Sequence, residues 1–153
     1  MEKNVSATKH LIVDGSNLLH AWPELRALLR RDRDAARARL VDLLAPLHDN
    51  SPEPLRLTVV FDGRGSGLVV EHPAGPPSFS CIYTPAGTTA DDVIEQLVAR
   101  SADPAACLVA TDDQAERSTV EAAGAVWCSS RDLAARAGAA TDRLRREIRR
   151  RRE

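Results

Sequence analysis

Aspartates recur behind short apolar runs along this chain. Asp14 follows Leu11-Ile12-Val13, and Asp62 follows Thr58-Val59-Val60-Phe61. Asp91 and Asp92 follow Cys81-Ile82-Tyr83 after a Gly/Thr turn, and Asp112 and Asp113 follow Cys107-Leu108-Val109-Ala110-Thr111. If the runs are parallel strands, the acids gather at the carboxyl edge of one sheet, where open α/β sheets bind ligands. Two carboxylates ~4 Å apart repel by roughly 4 kcal/mol at an effective dielectric of about 20. A bare cluster therefore raises its own pKa values or destabilises the fold. Mg²⁺ or Mn²⁺, as one or two ions, relieves that repulsion, because hard cations prefer carboxylate and water oxygens. Such an ion acidifies bound water and clamps a phosphodiester for in-line attack. The four histidines, at 10, 20, 48 and 72, show no ligand spacing for a softer metal.

Each acid alone also has a local explanation. Asp14 and Asp62 precede glycine, a common turn dipeptide. Asn17 fits a helix cap, and Thr88 and Thr89 with Asp91 and Asp92 fit a Thr-x-x-Asp capping box. One of Asp112 and Asp113 is expected to cap a helix beginning at Gln114. The metal reading rests on the conjunction of acids rather than on any one of them. Other motifs fall away. Gly63 to Gly67 lacks the Lys-Ser/Thr of a P-loop and reads as a flexible lip beside Asp62. Ser16 lacks the Gly-x-Ser-x-Gly elbow of a hydrolase nucleophile.

These acids need a scaffold, and strand and helix signals alternate as in a parallel α/β sheet. Strands are expected at His10–Val13, Leu55–Phe61, Phe79–Thr84, Ala106–Thr111 and Ala125–Cys128. Residues 68–77 read as irregular or as a short edge strand. Pro23 suits the first turn of a helix reaching Arg30. Asp32 or Asp34 caps a second helix reaching about His48, with Leu40, Leu43, Leu44 and Leu47 on one face. Further helices are expected at Asp91–Arg100 and Gln114–Ala123, the latter ending at Gly124. A short helix from Asp132 is expected to stop near Gly138, before a separate arginine-rich helix.

The 153 residues suit one domain with its own core. Aromatic residues make up only 3%, so base stacking is not the main route to any nucleic acid. Cys81, Cys107 and Cys128 form no CxxC and are expected to be reduced and buried, as in a cytoplasmic protein. No run approaches the ~18 apolar residues of a membrane span, and the polar residues 1–9 lack a signal peptide's apolar core. The net charge of -1 is uneven: Asp142 to Glu153 holds seven arginines and three acids, leaving an acidic body. Such asymmetry suggests phosphate attraction at the basic end.

Five blocks in order, Asp14-Gly15-Ser16-Asn17, Ala21-Trp22-Pro23-Glu24-Leu25, Val60-Phe61-Asp62, Thr89-Ala90-Asp91-Asp92 and Ala110-Thr111-Asp112-Asp113, resemble the NYN domains of the YacP-like branch of the PIN-like nuclease superfamily. The resemblance runs from about residue 10 to 135. It implies a Rossmann-like, mainly parallel five-stranded sheet of order 3-2-1-4-5 over residues 10–138, followed by an arginine-rich helix at 139–153. It also implies Mg²⁺- or Mn²⁺-dependent cleavage of RNA. Carried over by position, Asp14, Asp62, Asp91 and Asp113 are the catalytic acids. The metal acids are Asp14, Asp91, Asp92, Asp112 and Asp113. Asn17, Ser16, Arg64, Thr111, Arg30 and Arg31 are expected at the substrate, with Arg33 a further backbone contact. Ser16 replaces a frequent tyrosine, and Asp112 stands where serine is usual, so the choice between Asp112 and Asp113 at the metal stays open. The expected partner is single-stranded RNA, with a ribosome or another ribonucleoprotein as its possible source and no membrane. Alternatives are an RNA-binding module with a vestigial metal site and a metal-dependent phosphatase.

Overall fold

The computed structural model describes residues 8–152. Most of the expected N-terminal extension at 1–9 lies outside the described residues. Lys9 already joins the sheet, donating to the Ala106 carbonyl and accepting from the Arg56 N–H. Elements follow in the order β1 (His10–Asp14), α1 (Gly15–Ala21), α2 (Pro23–Leu29), α3 (Arg33–Asp49), β2 (Arg56–Gly65), β3 (Val69–Glu71) and β4 (Phe79–Pro85). They continue with α4 (Ala90–Ala99), β5 (Cys107–Ala110), α5 (Gln114–Ala122), β6 (Val126–Cys128) and α6 (Ser130–Arg152).

The sheet has six strands in the order β3-β4-β2-β1-β5-β6. The five expected strands keep their expected order and are parallel. The difference is β3, an antiparallel edge strand that pairs Val69 to Tyr83 through Glu71 to Cys81. Side chains alternate between the two faces. Leu11, Val13, Leu57, Val59, Phe61 and Leu108 pack with the leucines of α1 and α3 and with Leu133 of α6. Ile12, Val60, Ile82 and Val109 pack on the other face with Val93, Ile94 and Val98 of α4 and Val120 of α5. Cys81, Cys107 and Cys128 are buried free thiols.

Three expectations need correction. Asp14-Gly15 is not a turn: Asp14 ends β1 and caps α1 directly. Gly15 permits that abrupt start, because a Cβ there would lie 2.5 Å from the Phe61 ring and 2.9 Å from the Val60 carbonyl. Asp62-Gly63 is not a free loop either, since β2 continues to Gly65. Past Phe61 its register with β4 shifts, so that Gly65 pairs with Pro85. Such bulges re-aim side chains, and Gly63 presses against the Thr84 carbonyl with no room for a Cβ. Finally, α6 runs unbroken through Gly138. A helical glycine costs only about 1 kcal/mol relative to alanine. Here Leu133, Ala137 and Ala140, buried at helical spacing, hold both halves on the body.

Candidate metal centre

β1, α4 and α5 bring three carboxylates together. One oxygen each of Asp14, Asp91 and Glu116 lies within 4.8 Å of the others. Asp14 is 3% exposed and Glu116 only 1%. Asp14 stands at the carboxyl end of the central strand, and its Oδ1 accepts the Asn17 N–H at 3.1 Å. Asp91 comes from the first turn of α4 and Glu116 from the first turn of α5. Thr111 sits beneath them, fully buried. Its hydroxyl lies 3.4 Å from Asp14 Oδ2 and 3.2 Å from Glu116 Oε1, and it accepts the Asp113 N–H at 3.1 Å.

Burial, foremost, raises the Asp14 pKa, and the charges of Asp91 and Asp62 add to the rise against hydrogen bonds from Glu116 and Asn17. Glu116 is also pushed well above the usual carboxylate range, by burial first and then by Asp14 and Asp91. Glu116 Oε2 is buried without any hydrogen-bond partner. An orphaned acceptor, three carboxylates and no soft ligand suit a hard divalent cation. The residues present therefore fit Mg²⁺ or Mn²⁺.

The remaining sequence candidates take other places. Asp62 sits at the rim, its Oδ1 accepting the Ala90 N–H at 2.7 Å. Ser16 Oγ accepts the Asp62 N–H at 2.9 Å. Asp92 closes a capping box with Thr89, as its spacing indicated. Asp113 is the cap of α5, accepting the Ala115 and Glu116 N–H groups at 2.9 and 3.1 Å. Asp112 turns the other way and binds the Ser130 N–H and hydroxyl at 2.8 and 2.6 Å, tying β5 to α6. Asn17 Oδ1 accepts the Asp112 N–H at 3.0 Å. Asp92, Asp112 and Asp113 thus lie outside the three-acid group. Thr111 has no exposed surface, and its hydroxyl faces the Asp14 and Glu116 carboxylates. Arg30, Arg31 and Arg64 are exposed, and of these only Arg30 lines a cleft bordered by Ser16 and Asp62.

Glu116 is the site residue that sequence reading missed. It carried a signal: in the expected helix from Gln114 it falls four residues before Val120, so it is an acid on the core-facing stripe.

Comparison with known proteins agrees with this fold. The family described as the YacP-like NYN domain matches residues 11–153. A curated relative, the uncharacterised protein YacP of Bacillus subtilis (strain 168), is 31% identical over 141 residues, covering 91% of this chain and 81% of that protein. The crystal structure of Rae1 (YacP) from Bacillus subtilis superposes with a TM-score of 0.74 at 28% identity, covering 93% of this chain and 80% of that one. Its W164L mutant gives a TM-score of 0.75 at 29% identity, covering 93% and 82%.

Proposed function

Since the chain belongs to the YacP-like NYN domain family, of PIN-like nuclease type, we propose that it is a metal-dependent endoribonuclease acting on single-stranded RNA in the cytoplasm. The observation that carries this reading is the group formed by Asp14, Asp91 and Glu116 with its unpartnered Glu116 oxygen. These three residues would hold Mg²⁺ or Mn²⁺. When bound, the ion supplies an acidified water and charge stabilisation at the phosphodiester.

The chain's own residues prepare that chemistry. Thr111 fixes the rotamers of Asp14 and Glu116 from below. Asp113 holds the first turn of α5, and with it the Glu116 backbone. Asp62 adds a rim carboxylate while its Oδ1 holds the start of α4, the helix that carries Asp91. Ser16 accepts from the Asp62 N–H, so its own hydroxyl hydrogen remains available to a substrate oxygen. Arg30, Arg31, Arg33 and Arg64 are the proposed backbone contacts. Asp92 and Asp112 act here as structural caps. The low aromatic content leaves the phosphate backbone as the main handle on RNA.

The test is cleavage of end-labelled single-stranded RNA by the full chain in Mg²⁺, Mn²⁺ or EDTA, with Asp14→Asn as control. Internal cleavage that needs the metal and disappears in the variant is expected. Cleavage indifferent to EDTA, or retained by the variant, overturns the proposal.

A further inference from the structure

Beside the acidic centre the fold builds a second feature of opposite charge. A cleft of about 540 Å³ opens between α1, α2, the start of α3 and the end of β2, with Arg26, Arg30, Arg33 and Arg37 in its walls. Ser16 and Asp62 form its border, so it abuts the rim of the three-acid group. Among the described residues no carboxylate forms an ion pair with any of these four arginines. Of the nearby acids, Glu24 pairs with Arg39, Asp32 caps α3 and Asp62 Oδ1 accepts the Ala90 N–H. Arg37 is fixed in place, with its guanidinium carbon 5.3 Å from the Phe61 ring centroid and 5.2 Å from that of Tyr83. Its Nη2 donates to the Asp62 carbonyl at 2.8 Å, while its Nε is buried without an acceptor.

Four unpaired cations facing one cleft repel each other, as the acids do next door, and an anion is what relieves them. Guanidinium groups match phosphate oxygens in fork geometry. Asp62 joins the two features: its carboxylate holds α4 on the acidic side, and its carbonyl holds Arg37 on the basic side. We propose that this cleft is a phosphate subsite that receives the RNA backbone next to the scissile bond. The strand then leaves the acidic centre past Ser16 and Asp62, toward α2 and α3, rather than across β6. This inference rests on the ribonuclease reading for the identity of the polyanion. The charge, the orphaned donor and the position of the cleft stand without it.

The experiment measures binding of a short fluorescein-labelled single-stranded RNA to the full chain in EDTA, so that no cleavage is required. The exposed pair Arg30→Glu/Arg33→Glu is compared with Arg56→Glu/Arg100→Glu, a charge-matched pair at the opposite edge of the sheet. The cleft variant should bind at least about tenfold more weakly, and its log Kd against log salt slope should be shallower by roughly 0.7 for each phosphate it no longer neutralises. The control pair should weaken binding much less. Circular dichroism and unchanged Mn²⁺ binding show that the variants remain folded. Equal weakening in the two pairs, unchanged affinity in the cleft pair, or no RNA binding by the wild type overturns the subsite. If the wild type binds through the cleft but cleaves RNA with neither metal, the nuclease reading falls and the subsite stands.

Discussion

Asp14 and Glu116 meet over a single hydroxyl. Thr111 Oγ1 lies 3.4 Å from Asp14 Oδ2 and 3.2 Å from Glu116 Oε1. A hydroxyl carries one hydrogen and cannot donate fully to both. The deficit falls on a pair of buried carboxylates whose proton affinity is already raised. That rise favours a proton held between them in metal-free protein, and a divalent cation, when bound, would displace it. Metal binding and proton release are therefore linked at this centre.

Glu116→Gln should lower cleavage on the order of 100-fold or more, since even residues behind a metal's ligands cost 10–100-fold. It should also abolish the metal-induced rise in melting temperature. In EDTA its effect on stability changes with pH. A folded-state pKa above the unfolded value of about 4.3 means that the folded protein holds more protons above that pH. This group's contribution therefore favours folding at low pH and turns unfavourable as pH rises toward neutrality. The variant should gain on the wild type between acidic and neutral pH, read as urea midpoints in EDTA. A variant less stable than the wild type at neutral pH in EDTA would show that Glu116 serves only the packing of α5.

Thr111→Val keeps the shape and removes the hydroxyl. The Asp113 N–H is then left without its acceptor, and the two carboxylates lose the one hydroxyl donor they share. Stability should fall by about 1–3 kcal/mol, the cost of leaving buried polar groups unpaired. Cleavage should fall roughly 10–100-fold through weaker metal affinity, with KM for RNA little changed. Thr111→Ser should restore most of both. A change confined to KM would instead make Thr111 a substrate contact.

The frame of this site was legible in the sequence because its parallel strands are short, continuous apolar runs buried on both faces and its helices carry caps. Strand order came from the family resemblance, and β3 stayed ambiguous because Val69 and Val70 are exposed on an edge and lack an alternating pattern. Asp14 and Asp91, which the structure brings together with Glu116, stood out in the sequence because acids behind apolar runs are conspicuous. Asp113 was ambiguous in sequence, since one position can serve both capping and ligation; in the structure its Oδ1 caps α5. Glu116 was hidden by the convention that charged residues in helices face water. The cleft was beyond reach, because Arg26, Arg33 and Arg37 meet Asp62 only through the packing of α2 and α3 on β2.

His10 provides an internal control for the pH dependence at the far edge of the sheet. Its Nε2 lies 2.8 Å from Thr58 Oγ1, and burial, with the Arg56 charge, lowers its pKa from 6.5 to about 4. The sign is opposite to that of Glu116. Between about pH 4 and 6.5 the unfolded chain binds the proton and the folded chain does not, so stability rises with pH across that window. His10→Gln should flatten that rise in urea midpoints and leave cleavage at neutral pH unchanged. A slope that survives the substitution would assign the pH dependence to other groups.

The basic end supplies the last prediction. α6 is anchored by Leu133, Ala137 and Ala140. The residues past Asp142 carry seven arginines on the outer half of the same helix. Only Arg151 among them forms an ion pair in the described residues, with Glu147 at 3.2 Å. Exposed pairs of this kind contribute little, so the segment presents nearly its full charge to solvent. Deleting residues 143–153 removes none of the three anchors and no residue of the acidic group. Affinity for single-stranded RNA should fall, and the salt slope should become shallower by roughly 0.7 for each phosphate that the segment had neutralised. The single-turnover rate at saturating RNA should stay near that of the full chain. The thermal shift on adding Mn²⁺ should also persist. An unchanged slope would make the segment a solvated helix or a surface for another protein. Disappearance of the Mn²⁺ shift would instead show that the outer half of α6 supports the seating of Ser130 on Asp112, and through it the end of β5.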